Sequence, residues 1–263
     1  MQRLFSYSLL AGVAATSILT QAQTPKPSPA DELRAARASY YTPTANGLHS
    51  FHCAVTTDWK DFLARITGTE ITDDNPFLIY LRTVHLSVDD DVKTTGELNW
   101  SNTSTPAAEI EKPAEEFHGA MVQMFAGFFQ TWNSFMNGSM VPEPDESSTV
   151  TRTSEGLHLH ALSNDTVVDQ NYNRAIVLTD AHVATSALDV LMYPEYADTA
   201  DGKIVTVVRS TYRSPPNSPP TDLTMSVTYA VVSSYRLPAT VTVDVKNVGR
   251  YDFAFAGCTV KKF

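Results

Sequence analysis

The chain has 263 residues, a formal net charge of −10 and two cysteines. Its 19 Lys and Arg are scattered rather than clustered, so nucleic acid and anionic membrane surfaces are poor partner candidates. Neither cysteine belongs to a C-x-x-C pair, which sets aside thiol–disulfide exchange as an activity.

Residues 1–22 read as a secretory signal peptide. Arg3 supplies the positive n-region, residues 4–19 the apolar h-region, and Thr20-Gln21-Ala22 a small-x-small cleavage site. Cleavage near Ala22 makes the product periplasmic or secreted, with a charge of −11 once Arg3 is lost. No cysteine precedes Cys53, so the lipid-modified cysteine of a bacterial lipoprotein is excluded. Residues 23–30, QTPKPSPA, read as a disordered or extended linker. Residues 31–263 then form one β-rich domain, long enough for a real core.

A helix is expected from Asp31, whose carboxylate can cap it, to the interruption at Pro43 and Asn46-Gly47. A first strand over 48–57 sets His49, Phe51, Cys53 and Val55 against Leu48, Ser50, His52 and Ala54. Short helices follow over 59–66, capped by Asp58, and over 75–81, with Pro76 at the first position. Strands at 84–88 and 96–100 flank Asp89-Asp90-Asp91, which reads as part of a charged hairpin turn. The Gly and terminal Glu of an EF-hand calcium loop are missing from it.

The most informative stretch is 117–136, FHGAMVQMFAGFFQTWNSFM. At helical spacing Phe117, Met121, Met124, Phe125, Phe128, Trp132, Phe135 and Met136 share one broad face. Methionine and phenylalanine make surfaces that repack around variable partners, whereas β-branched residues fix a rigid core. Such a face is either a ligand lining or packed core. After a Pro-rich break at 141–144, nine strands are expected over 149–154, 157–162, 165–170, 174–179, 183–191, 203–213, 222–232, 238–247 and 250–261. That spacing is an antiparallel meander. Its alternation leaves one apolar face, which the Phe/Met helix is the only element large enough to cover. Cys53 and Cys258 lie in the strand patterns FHCAV and FAGCTV. In an oxidising compartment the even count points to a disulfide, with two buried free thiols as the alternative.

Ser234-Tyr235-Arg236-Leu237-Pro238-Ala239-Thr240-Val241, taken with the meander, helix and signal peptide, resembles the LolA/LolB-like periplasmic lipoprotein carriers. In that family a G-Y-x-L-P-x-x-V element begins the penultimate strand; here Ser234 replaces the usual glycine. Residues 36–59 resemble a group of uncharacterised exported bacterial proteins. The resemblance implies an α+β fold: a curved antiparallel half-barrel with a long amphipathic helix and shorter helices on its concave face, around a hydrophobic cavity. No position of this chain aligns with the lid arginine of the carriers.

Candidate chemistry is sparse. His158 and His160 are two apart on an expected strand and share a face, as two ligands of zinc or copper would; exposed strand histidines are commoner. No G-x-S-x-G, H-E-x-x-H or phosphate-cradling Gly loop occurs. Glu115-Glu116 is better explained by the helix dipole than by acid–base work. N-x-S/T sequons at Asn99, Asn102, Asn137 and Asn164 are incidental if the route is bacterial. The leading expectation is therefore an exported, non-enzymatic protein without catalytic or metal residues or a cofactor. It would hold a hydrophobic small molecule, lipid or lipoprotein acyl chain against Met121, Met124, Phe125, Phe128, Phe129 and Trp132, with at most transient membrane contact. The alternative is a structural or protein-interaction module with a filled core; a metal-dependent hydrolase comes third.

Overall fold

A computed structural model of the chain describes residues 26–92 and 96–263, so the signal peptide expected at 1–22 lies outside the described residues. The helices are α1 (Pro29–Arg37), α2 (Trp59–Thr67), α3 (Pro76–Leu81) and α4 (Glu111–Met136). The strands are β1 (Leu48–Thr56), β2 (Val84–Asp91), β3 (Gly96–Asn102), β4 (Ser148–Arg152), β5 (Gly156–Ser163), β6 (Thr166–Asn173), β7 (Leu178–Ala184), β8 (Asp189–Thr199), β9 (Gly202–Arg213), β10 (Thr221–Val232), β11 (Tyr235–Val245) and β12 (Gly249–Lys262).

Local chemistry accounts for most of these boundaries. The Asp58 carboxylate accepts from the backbone N–H of Lys60 and Asp61, and the Asn75 carbonyl accepts from Phe77 and Leu78, so α2 and α3 begin where side-chain acceptors meet orphan donors. The expected cap of α1 is displaced. Ser28 Oγ accepts from Asp31 N–H, and Pro29 opens the helix inside the stretch read as linker. Asp31 sits in the first turn, where its charge suits the helix dipole.

All twelve strands join one antiparallel sheet in the order β3-β2-β1-β12-β11-β10-β9-β8-β7-β6-β5-β4. This overturns the curved half-barrel. The sheet is open, with β3 and β4 as its two edges, and helices pack against it rather than inside a closed wall. Alternation reports which face is buried, but curvature depends on tilt and register between strands, which period-two patterning does not encode.

The topology explains α4. From β1 the chain steps outward to the β3 edge, yet its next strand, β4, is the opposite edge. Eleven strand spacings separate them, about 53 Å. A 26-residue helix covers about 39 Å of that distance, and residues 137–147 complete the crossing. Near its start Phe117 packs on Trp100 of β3, and near its end Phe135 packs on Tyr196 of β8. Between these points Phe129 still meets Gly96 of β3, so the helix follows β3 obliquely before passing over the sheet towards β8. Gly96 of β3 lets it approach: a Cβ there would lie 2.3 Å from the Phe129 ring.

Nine strands do follow α4, but two are misplaced by the sequence reading. Strands expected at 174–179 and 183–191 are β7 and β8, at Leu178–Ala184 and Asp189–Thr199. The Asn173 side chain accepts from the N–H of Ala175 and Val177, and Ile176 takes a left-handed φ of 55°. An Asx turn holding a β-branched residue at positive φ carries none of the usual Gly or Pro punctuation. Pro194 lies in β8 beside a register shift at Glu195/Tyr196, and Pro238 of β11 sits at a shift opposite Tyr229.

β1 and β12 are neighbours, so the first and last strands of the domain meet. Cys53 and Cys258 form a disulfide between them, S–S 2.06 Å, at a bulge where Gly257 has φ +60°. The bond closes a sequence separation of 205 residues, worth up to about 5 kcal/mol on the chain-entropy model. Replacing both cysteines by alanine should lower the urea midpoint without changing the fold. A midpoint unchanged under oxidising conditions would show that the bond adds nothing.

Candidate functional site

The interface between α4 and the sheet brings together every residue expected to touch a ligand. Phe129 and Trp132 are 0% exposed, Met121 and Phe125 2%, and Phe128 5%, while Met124 is half-buried at the margin. Phe51 of β1 meets Phe129 and Trp132 with ring centroids 6.2 and 5.8 Å apart, and Phe125 meets Phe253 of β12 at 4.8 Å. These tilted and edge-to-face contacts are the favourable arrangements for aromatic rings.

Aromatic groups also seal both ends. At the N-terminal half, Phe117 is ringed by Trp59, Phe62, Phe77 and Trp100, all with centroids within 6.1 Å. At the other end Tyr40 packs edge-on to Tyr196 and accepts a hydrogen bond from Leu178 N–H, and Tyr41 accepts one from Arg236 N–H. The space enclosed there by Tyr40, Phe135, Met136, Tyr196 and their neighbours amounts to about 10 Å³, room for about one water. Wider hollows lie open on the surface. One of about 500 Å³ is lined by Thr206, Ser226, Thr228, Thr240 and Thr242 on the face of the sheet away from α4, and one of about 340 Å³ by His49, His52, Asp89, Glu97 and Lys261.

Several polar groups inside the interface are hydrogen-bonded, whereas Tyr196 Oη is buried without a partner. Trp132 Nε1 donates to Tyr229 Oη (3.1 Å), which donates to the Val205 carbonyl (2.6 Å), linking α4 to β10 and β9. Burial pushes the Tyr229 hydroxyl well above its ordinary pKa, so it remains a neutral donor. Tyr172 Oη donates to Gln170 Oε1, and Gln170 Nε2 to the Met140 carbonyl, anchoring the segment after α4 on β6.

The aspartate run belongs to a strand rather than to a hairpin turn. Asp89–Asp91 end β2, and alternation turns Asp89 outward to His52 and Asn99, but Asp90 inward. There Asn133 Nδ2 of α4 donates to Asp90 Oδ1 at 2.8 Å, with both residues buried. Burial, opposed by that hydrogen bond and reinforced by Asp91, pushes the Asp90 carboxyl up to about 7. The signal was available: Val84, Leu86, Val88 and Asp90 share one strand face, and Asn133 falls on the helix face of Phe129 and Trp132.

His158 and His160 do share a face, and both meet Asp169 Oδ1, at 3.3 and 2.8 Å; His182 meets Asp189 at 3.0 Å. Among the described residues no group of three or more His, Cys, Asp or Glu side chains could hold a metal ion, and no described helix is long and apolar enough to cross a membrane. Outside the interface, Asp252 of β12 gathers Thr242, Arg250 and Arg65, pinning α2 to the sheet. Its partial burial alone would raise the carboxyl, but those hydrogen bonds outweigh it and draw it down to about 2.

Family models, curated proteins and solved structures contain no match to this chain. The resemblance to the LolA/LolB-like carriers gains no support from them.

Phe129→Ala should destabilise the protein by about 3–5 kcal/mol, the range for a large aromatic lost from a packed interior, with Met124→Ala costing clearly less. Urea unfolding of both variants checks this. Equal and small losses would mean that the two side chains line free space.

Proposed function

We propose that this chain is a non-enzymatic structural or protein-interaction module of an exported compartment, in which the α4–sheet interface is a filled core. The observation that carries this reading is the burial of Phe129 and Trp132 at 0% exposure, with an enclosed space of only about 10 Å³ further along α4 at Phe135 and Met136. Pockets that hold small molecules measure about 300–1,000 Å³. A lipid carrier built on these residues would have to lift α4 away, breaking the Trp132–Tyr229 and Asn133–Asp90 bonds as it did so. Contacts with a partner would fall to the outer sheet face, where Ser226, Thr228, Thr240 and Thr242 stand in cross-strand pairs. Hydroxyls on rigid strands suit a polar, hydrogen-bonded contact rather than capture of an acyl chain.

Native mass spectrometry of the mature protein, exported and purified, separates the two readings. The filled core predicts an apo mass and an unfolding temperature that added fatty acid leaves in place, because only a ligand of the native state raises it. Bound acyl mass that disappears in Phe128→Ala/Trp132→Ala would replace this reading with the carrier.

A further inference from the structure

We infer that Asp90 carries a proton in the folded protein and forms a reciprocal acid–amide pair with Asn133, making the join between β2 and α4 a pH-sensitive latch. Asp90 is 1% exposed and Asn133 2%. The one hydrogen bond between them runs from Asn133 Nδ2 to Asp90 Oδ1. It leaves Asp90 Oδ2 and Asn133 Oδ1, both acceptors when the carboxyl is ionised, buried without a partner. Two orphaned oxygens on one bonded pair is a costly arrangement, since each loses hydration for nothing. A single proton on Asp90 Oδ2 removes both defects. The acid becomes a donor to Asn133 Oδ1, and the pair is held by two hydrogen bonds with no buried charge.

The surroundings favour the neutral form. On β2, Asp91 adds a negative neighbour, while Asp89 turns to the outer face and is held by His52 and Asn99. The strands on either side place Phe51 of β1 and Gly96 of β3 opposite Asp90. His52 of β1 and Glu97 of β3 stand in the register of Asp89, on the other side of the sheet, while His49 of β1 and Lys261 of β12 line the same open hollow as Asp90. From α4 come only Asn133 and aromatic or methionine side chains; its one histidine, His118, lies against Trp100 at a centroid distance of 5.0 Å. Desolvation is therefore the dominant influence, and it acts against the carboxylate.

The sign of the effect follows from linkage. In the unfolded chain Asp90 ionises in the ordinary carboxylate range, whereas in the folded chain it holds its proton until about pH 7. Its contribution to stability is complete below about pH 4 and falls as pH rises, by about tenfold in the folded-to-unfolded ratio per pH unit, levelling off near neutrality. Over the whole window the loss is about a thousandfold. This latch is tightest in acid, opposite in direction to the Asp252 cluster, which is complete above the ordinary carboxylate range and lost towards pH 2.

The test compares urea unfolding of the wild type and Asp90→Asn from pH 4 to pH 8. An asparagine keeps both hydrogen bonds possible but cannot titrate, so the wild type should lose stability relative to the variant by about a thousandfold across the window. Parallel profiles would overturn the inference. Should Asp90→Asn fail to fold, carbon NMR of the Asp90 carboxyl in the wild type decides instead. A midpoint near 7 supports the latch, and one in the ordinary carboxylate range refutes it. Neither readout depends on the proposed function.

Discussion

A sheet with an apolar face cannot stand uncovered in water, and here one helix must both cover that face and carry the chain across it. The meander returns to β1 only if the chain first reaches the far edge, and α4 is that crossing. It meets β3 from Phe117 to Phe129 and reaches β8 at Phe135. Its aromatic and methionine face follows from this task. Flat rings and unbranched thioethers can pack over several strands whose side chains present an uneven surface, where β-branched residues would demand one fixed register.

The same crossing dictates where polar groups sit. Buried hydrogen-bonding groups favour paired sets, and three such sets join α4 or its extension to different strands. Trp132 reaches β10 through Tyr229, the chain after α4 reaches β6 through Gln170, and Asn133 reaches β2 through Asp90. Lost together with the apolar contacts, these bonds make moving α4 a large event. The disulfide closes β1 against β12, so the strand that begins the domain and the strand that ends it cannot part.

Much of this was legible in the sequence. The capping carboxylate of Asp58, Pro76 at the first position of α3, the aromatic stripe and the count of nine strands after it are local signals that survive into the fold. Other features lie beyond local reading. The open edges at β3 and β4 depend on how strands pair across long separations, which no window of sequence contains. The turn at 174–177 is built on an Asn side chain and a left-handed Ile176, so it has no conventional turn residue to announce it. Whether the Phe/Met face lines a space or fills one was equally hidden, because the answer lies in Phe51, Phe253 and Phe255, brought to it from strands far away in the chain. Asp90 is a different case: three aspartates in a row suggested solvent, although their alternation already placed the middle one inside.

The most direct measurement of the central claim is native-state hydrogen exchange, residue by residue, across α4 and the disulfide-linked strands. If α4 is the filled core on which the sheet depends, its amides over 125–136 should exchange only through global unfolding, with the same free energy as those of β1 and β12. Exchange of α4 through a smaller opening, while β1 and β12 stay protected, would contradict the account and make the helix a movable cover.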